Sequence, residues 1–82
     1  MVDVKKDIME ILVNKFGIAE GAITVNDSFY SMGMDSIAIV ELQYTVIEKF
    51  GLDQRDLHIE EEDSVNLLQS KISFFIEKKE NV

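Results

Sequence analysis

A chain of 82 residues has room for one hydrophobic core and is too short for two domains. It contains no cysteine, which excludes a disulfide framework, a thiolate nucleophile and a cysteine-bound metal. Sixteen acidic residues against eight basic ones give a formal net charge of −8, which disfavours nucleic acid and anionic membranes as partners and favours proteins with a basic docking face.

The apolar residues are spread along the chain rather than gathered into one block. They make up 46% of the sequence, which is typical of a globular protein. Residues 1–6 lack the basic and then apolar layout of a signal peptide, and no lipidation motif closes the chain. We therefore expect residues 1–82 to form a single domain in the cytoplasm, acting as a monomer.

The first predicted element is an amphipathic helix from Val4 to Phe16. Asp3 is placed to cap its start, and Gly17 is placed to end it. Apolar residues at three- and four-residue spacing define its inward face: Val4, Ile8, Ile11, Leu12 and Phe16.

A long loop is predicted next, from Gly17 to Asp35, and it leads directly to Ser36. A loop of this length in a small domain is expected to be functional or to pack its own side chains. It has the apolar residues for such packing: Ile18, Ile23, Val25, Phe29, Tyr30 and Met32.

The second predicted helix runs from Ser36 to Phe50 and ends at Gly51. Apolar residues cover most of its circumference, so we expect it to be central to the bundle. Beyond it, a short helical turn is predicted around Leu57–Ile59, followed by a solvated acidic edge at Glu60–Asp63.

Ser64 is predicted to cap the last helix. Its inward stripe consists of Val65, Leu68, Ile72, Phe75 and Ile76. The predicted fold class is therefore all-α, a bundle of three main helices plus one short helix, with a long loop between the first two.

Ser36 stands where the long loop becomes a helix, with no obvious catalytic partner. The chain has a single histidine, His58, which we interpret as a surface or packing residue, so neither a serine nucleophile with its base nor a zinc site is supported. Ser36 can instead accept a group from another enzyme, and a phosphodiester there would meet the unpaired N–H groups of a helix start. The ordinary alternative is that Ser36 is only a helix N-cap.

The run Gly33-Met34-Asp35-Ser36-Ile37 matches, at every position, the motif Gly-hydrophobic-Asp-Ser-Leu/Ile that opens the second helix of acyl carrier proteins. The chain resembles that family, which also includes peptidyl carrier proteins, over nearly its whole length. Further similar segments are Asp27-Ser28-Phe29, Met32-Gly33, Val40-Glu41-Leu42, Glu48-Lys49-Phe50-Gly51 and Ser64-Val65 followed by Leu68 and Ile72.

The resemblance implies that Ser36 receives 4′-phosphopantetheine from coenzyme A and that the chain is a thioester carrier, not an enzyme. It implies that Asp35 helps position the magnesium and coenzyme A of the transferase. The implied partners are a phosphopantetheinyl transferase, a loading enzyme for an acyl or aminoacyl group, and a downstream synthase.

The second helix is then expected to face these partners. The candidate contact residues are Met34, Ile37, Glu41, Tyr44 and Glu48, with Ile39 as a further apolar candidate. Fatty-acid carriers often have more acids along this helix and a proline after it, so their absence favours a specialised polyketide, nonribosomal peptide or fatty-acid-like pathway.

A second hypothesis stays open on the sequence alone. The chain could be a small acidic helical adaptor that binds a basic protein through its second helix, with Ser36 acting only as a cap.

Overall fold

The computed structural model describes the backbone of residues 3–80 and the side chains of residues 3–77. Within this range it contains three α-helices, α1 (Val4–Asn14), α2 (Ser36–Phe50) and α3 (Val65–Glu80). Two 3₁₀ turns, Glu20–Ala22 and Tyr30–Met32, lie in the long loop between α1 and α2. The predicted all-α bundle, with its three main helices and its long loop, is confirmed.

The first helix begins and ends close to the predicted residues. The Asp3 carboxylate accepts a hydrogen bond from the N–H of Lys6 at 3.1 Å, which confirms the predicted cap. The helix ends at Asn14, two residues earlier than expected, because Gly17 adopts a φ of +68° and Ile18 N–H donates back to the Leu12 carbonyl at 3.1 Å.

The hydrophobic core collects residues from all three helices and from the connections between them. The helices α1 and α3 pack directly against each other. The core residues are Val4, Ile8, Ile11, Leu12, Phe29, Met34, Ile39, Leu42, Val46, Ile47, Leu57, Ile59, Val65, Leu68 and Ile72. Because both the long loop and the 51–63 connection contribute side chains, they are fixed parts of the fold rather than free linkers.

The connection between α2 and α3 corrects the prediction of a short helix at Leu57–Ile59. The described backbone has no helix there, and the connection forms turns at residues 54–56 and 61–62. Leu57 and Ile59 point into the core while His58 is exposed, and the N–H of Ile59 donates to the Gln43 side-chain oxygen at 2.9 Å. The alternation of buried and exposed side chains has the period of two that belongs to extended chain.

The turn at residues 54–56 is held by a contact between Arg55 and the preceding Asp53. The Asp53 carboxylate accepts hydrogen bonds from the backbone N–H and the guanidinium of Arg55. These bonds hold the pKa of Asp53 below its usual value and raise that of Arg55. Both side chains are exposed to solvent, so the pair shapes the turn without adding much to stability.

The predicted acidic edge at Glu60–Asp63 is solvated only in part, because Asp63 is 6% exposed. Its carboxylate accepts hydrogen bonds from Lys71 Nζ at 2.7 Å and from the N–H of Glu60 at 3.0 Å. Burial of a carboxylate is tolerated where a cation and a backbone donor satisfy it, as they do here.

The long loop is tied by backbone hydrogen bonds to the connection that precedes α3. The N–H of Phe29 donates to the Asp63 carbonyl at 2.8 Å, and that of Tyr30 to the Glu61 carbonyl at 3.0 Å. Ser28 and Ser64 form an isolated antiparallel bridge. The chain just before α2 is therefore anchored on the chain just before α3.

Between residues 3 and 80, no helix combines the length and the apolar character that crossing a bilayer requires.

Candidate functional site

The chain enters α2 through a tight turn at residues 29–34, which we call the presenting turn. The carbonyl of Phe29 accepts hydrogen bonds from the N–H groups of Met32 at 3.0 Å and Met34 at 3.2 Å. Phe29 and Met34, at its two ends, are buried, whereas Tyr30 and Ser31 between them are exposed. Two buried side chains thus fix the turn on the core just before Asp35 and Ser36.

Gly33 allows the presenting turn to reverse direction. Its φ of +88° lies in the left-handed region, which is costly for residues with a Cβ atom. Its N–H closes the 3₁₀ turn on the Tyr30 carbonyl at 3.0 Å, and a Cβ atom placed on it would meet nothing within 4 Å. The requirement for glycine is therefore conformational and not one of space.

Asp35 is the N-cap of α2. Its Oδ1 accepts a hydrogen bond from the N–H of Ala38 at 2.9 Å, and its carbonyl accepts one from Ile39 at 3.0 Å. Ser36 is the first helical residue, and its side chain is exposed. Its hydroxyl makes no hydrogen bond to the part of the chain that the structure describes. The alternative that Ser36 is only a helix N-cap is therefore wrong, and its hydroxyl is free for another purpose.

An exposed apolar stripe continues from Ser36 along α2. Ile37, Val40 and Tyr44 are 70%, 52% and 54% exposed, and we call these three residues the α2 patch. Together with Ser36 and Glu41 they line a shallow depression of about 440 Å³. The helix is thus buried on one side only, although apolar residues cover most of its circumference.

The structure separates the predicted contact residues into two groups. Ile37, Glu41, Tyr44 and Glu48 are exposed on α2, as a contact surface requires. Met34 and Ile39 are buried in the core, so neither contributes to this surface. 

Sequence reasoning missed Val40 as a surface residue. The spacing of residues 37, 40 and 44 is that of one helical face and could have indicated it.

No base or metal site accompanies Ser36 among the described side chains. His58 is exposed and lies 3.6 Å from Glu60, and no group of three potential metal ligands occurs within the described residues. The first N–H groups of α2 have no acceptor within the helix, and Asp35 satisfies only that of Ala38. The site therefore offers an exposed hydroxyl beside backbone donors that suit a phosphate.

The family model described as "Phosphopantetheine attachment site" matches residues 6–68, well over half of the chain. The chain belongs to this family of phosphopantetheine-binding carrier domains. No solved structure matches it significantly. The matched range includes all of α2 and the exposed serine at its start. The cofactor of this family is 4′-phosphopantetheine, which is attached covalently.

The residues of this carrier domain fit such a group. The Ser36 hydroxyl is exposed and free of hydrogen bonds to described residues. Unpaired N–H groups at the helix start can donate hydrogen bonds to the negatively charged oxygens of a phosphodiester. The chain has no cysteine, so a thioester requires a thiol that the polypeptide lacks. Carrier domains of this kind are generally not catalysts themselves, and they interact with phosphopantetheinyl transferases and synthase enzymes.

Proposed function

We propose that this chain, residues 1–82, is a single carrier domain that holds acyl or aminoacyl intermediates on Ser36. The bound 4′-phosphopantetheine supplies the thiol on which the thioester is made. The observation that carries the proposal is the exposed, uncommitted hydroxyl of Ser36 at the first residue of α2, inside the range matched by the family.

Attachment joins Ser36 Oγ to the phosphate of the pantetheine arm of coenzyme A, and adenosine 3′,5′-bisphosphate leaves. The hydroxyl proton must pass to a base of the transferase or to water, because no described side chain of the carrier approaches Ser36 Oγ within hydrogen-bonding distance. Only Oδ1 of Asp35 is used by the cap. Its Oδ2 is free of hydrogen bonds to described residues, which supports a role in holding the magnesium ion and coenzyme A of the transferase.

The partners are proposed to dock on the exposed face of α2. The α2 patch supplies apolar area next to Ser36, and the exposed side chains of Glu41 and Glu48 supply charge. With a net charge of −8, the carrier favours an apolar recess with a basic rim on the transferase, the loading enzyme and the synthase. Docking of this kind is brief, which suits a carrier that must visit several enzymes.

The pathway is proposed to be a specialised one, making a polyketide, a nonribosomal peptide or a fatty-acid-like product. The support is the composition of the exposed face of α2, where three apolar side chains and two glutamates lie. On such a face, apolar contacts contribute more to partner recognition than they would on a helix that presents a row of acids. We further propose that the carrier acts as a monomer in the cytoplasm and that it is not an enzyme.

The test is the intact mass of the purified protein after incubation with coenzyme A, magnesium and a broad-specificity phosphopantetheinyl transferase. We expect the wild type to gain one phosphopantetheine and Ser36→Ala to gain none. Ser70→Ala is the matched control, because Ser70 is also an exposed helical serine but lies on α3. Modification of Ser36→Ala, or none of the folded wild type, would contradict the proposal.

A further inference from the structure

The ion pair between the buried Asp63 and the partly buried Lys71 is a charged contact that the proposed function does not use. Asp63 is the buried charged residue of the described chain, and Lys71 Nζ lies 2.7 Å from its Oδ2. Lys71 Nζ also donates to the His58 carbonyl at 2.9 Å, and Asp63 Oδ2 also accepts from the N–H of Glu60 at 3.0 Å. One cation on α3 therefore fixes the conformation of the chain from His58 to Asp63.

That conformation determines where two backbone acceptors lie. The carbonyl of Asp63 accepts a hydrogen bond from the N–H of Phe29 at 2.8 Å, and the carbonyl of Glu61 accepts one from the N–H of Tyr30 at 3.0 Å. These two donors open the presenting turn, and the carbonyl of Phe29 in turn accepts the N–H of Met34. The pair is thus linked to the start of α2 by consecutive hydrogen bonds through the backbone.

We infer that the Asp63–Lys71 ion pair is a positioning unit that holds the presenting turn, and with it Ser36, in the geometry needed for group transfer. The inference rests on the proposed function for its consequence in transfer, but the structural link itself does not. Neither residue lies on the exposed face of α2, so the pair acts through the backbone of residues 29–34 and not by contacting a partner at the α2 patch.

A pair with a buried carboxylate and a partly buried cation suits a positioning role for an energetic reason. Its net contribution to stability is small, because desolvation of the charges offsets much of their attraction. Removing only one partner leaves a buried charge, which the local backbone must move to expose. The loss of Lys71 should therefore disturb the 58–63 connection and the presenting turn more than the α1–α3 packing.

The first readout is amide hydrogen exchange of Lys71→Met, compared with Ile8→Val as a matched control. Ile8 is fully buried on α1, and its truncation weakens the core without removing any hydrogen bond of Asp63 or Lys71. In Lys71→Met we expect the amides of Tyr30 and Met34 to exchange about tenfold faster, beyond any change in α1, because local openings have their own free energies. In Ile8→Val the acceleration should not be concentrated in the presenting turn.

The second readout is transferase kinetics. We expect kcat for modification of Lys71→Met to fall by about tenfold, since small misplacements of a reacting group are costly, while KM stays near that of the wild type because the α2 patch is intact. Lys71→Arg keeps a cation for Asp63 and should restore both kcat and slow exchange. Ile8→Val should leave kcat unchanged at temperatures where it is folded.

Uniform acceleration of exchange in Lys71→Met, with kcat unchanged, would overturn the inference. Should Lys71→Met fail to fold, Asp63→Asn keeps the volume and an acceptor for Glu60 while weakening the contact to Lys71, and the same exchange pattern is expected. If the wild type accepts no phosphopantetheine, the proposed function fails, and the exchange pattern alone still decides whether the pair holds the presenting turn.

Discussion

The Asp35 carboxylate caps the helix that Ser36 begins, with Oδ1 accepting the N–H of Ala38 at 2.9 Å. This single hydrogen bond assigns the cap to the residue before the serine and leaves the serine hydroxyl exposed. It also fixes a negative charge next to the hydroxyl, with one carboxylate oxygen still available. The group that stabilises the start of α2, the Asp35 carboxylate, is thus distinct from the exposed hydroxyl of Ser36.

Substitutions of Asp35 should separate the capping role of its side-chain oxygen from the role of its negative charge. Asp35→Asn keeps a side-chain oxygen for Ala38 N–H, so we expect its unfolding free energy to stay within about 0.5 kcal/mol of the wild type, whereas Asp35→Ala should lose about 1 kcal/mol. If the charge positions the metal of the transferase, both variants should be modified more slowly. Urea unfolding and the transferase rate measure the two effects, and a normal rate for Asp35→Asn would leave the cap as its only role.

Gly33→Ala should destabilise the fold through backbone strain. A residue with a Cβ atom at a φ of +88° costs about 1 to 2 kcal/mol, and no neighbouring atom lies close enough to add a clash. Gly21→Ala is the control, because Gly21 has no positive φ and equal space around it. Thermal or urea unfolding should show a loss of stability for Gly33→Ala but not for Gly21→Ala. Equal stability of the two variants would contradict the prediction of backbone strain at position 33.

The helix boundaries could be predicted because local chemistry determines them. Asp3 caps α1, Ser64 Oγ accepts the N–H of Leu67 at 3.1 Å at the start of α3, and Gly51 ends α2 with a φ of +66°. Each of these residues acts within one turn of its own position, so the sequence contains the whole interaction. The same holds for the motif around Ser36, whose residues are contiguous.

Other features depend on contacts between distant parts of the chain. Asp63 was expected to be solvated because its neighbours are acidic, but its carboxylate is buried against the Lys71 ammonium of α3. Met34 and Val40 are both apolar and close to Ser36, yet one is buried and the other half exposed. Periodicity cannot separate them when a helix is apolar on most of its surface, because packing against the other elements decides which side is covered.

Gln43 should be required to hold the 57–59 segment on α2. Its side-chain oxygen accepts the N–H of Ile59, and Gln43→Ala leaves that partly buried donor without a partner, at a cost of about 1 to 3 kcal/mol. Gln43→Glu keeps an acceptor at the same place and should lose less. Urea unfolding combined with exchange of the Ile59 amide measures this, and an unchanged Ile59 amide in Gln43→Ala would refute the proposed contact.

Val40→Gln tests whether the α2 patch docks partners. Val40 is half exposed, so the substitution should change the unfolding free energy by less than about 0.5 kcal/mol, and glutamine suits a helix better than valine. Loss of apolar contact next to Ser36 should raise the transferase KM about tenfold, equivalent to about 1.4 kcal/mol of docking energy. The matched control is Phe74→Gln, because Phe74 is 61% exposed on α3 and also apolar. An equal rise in KM for both variants would mean that general surface hydrophobicity, and not the α2 patch, governs recognition.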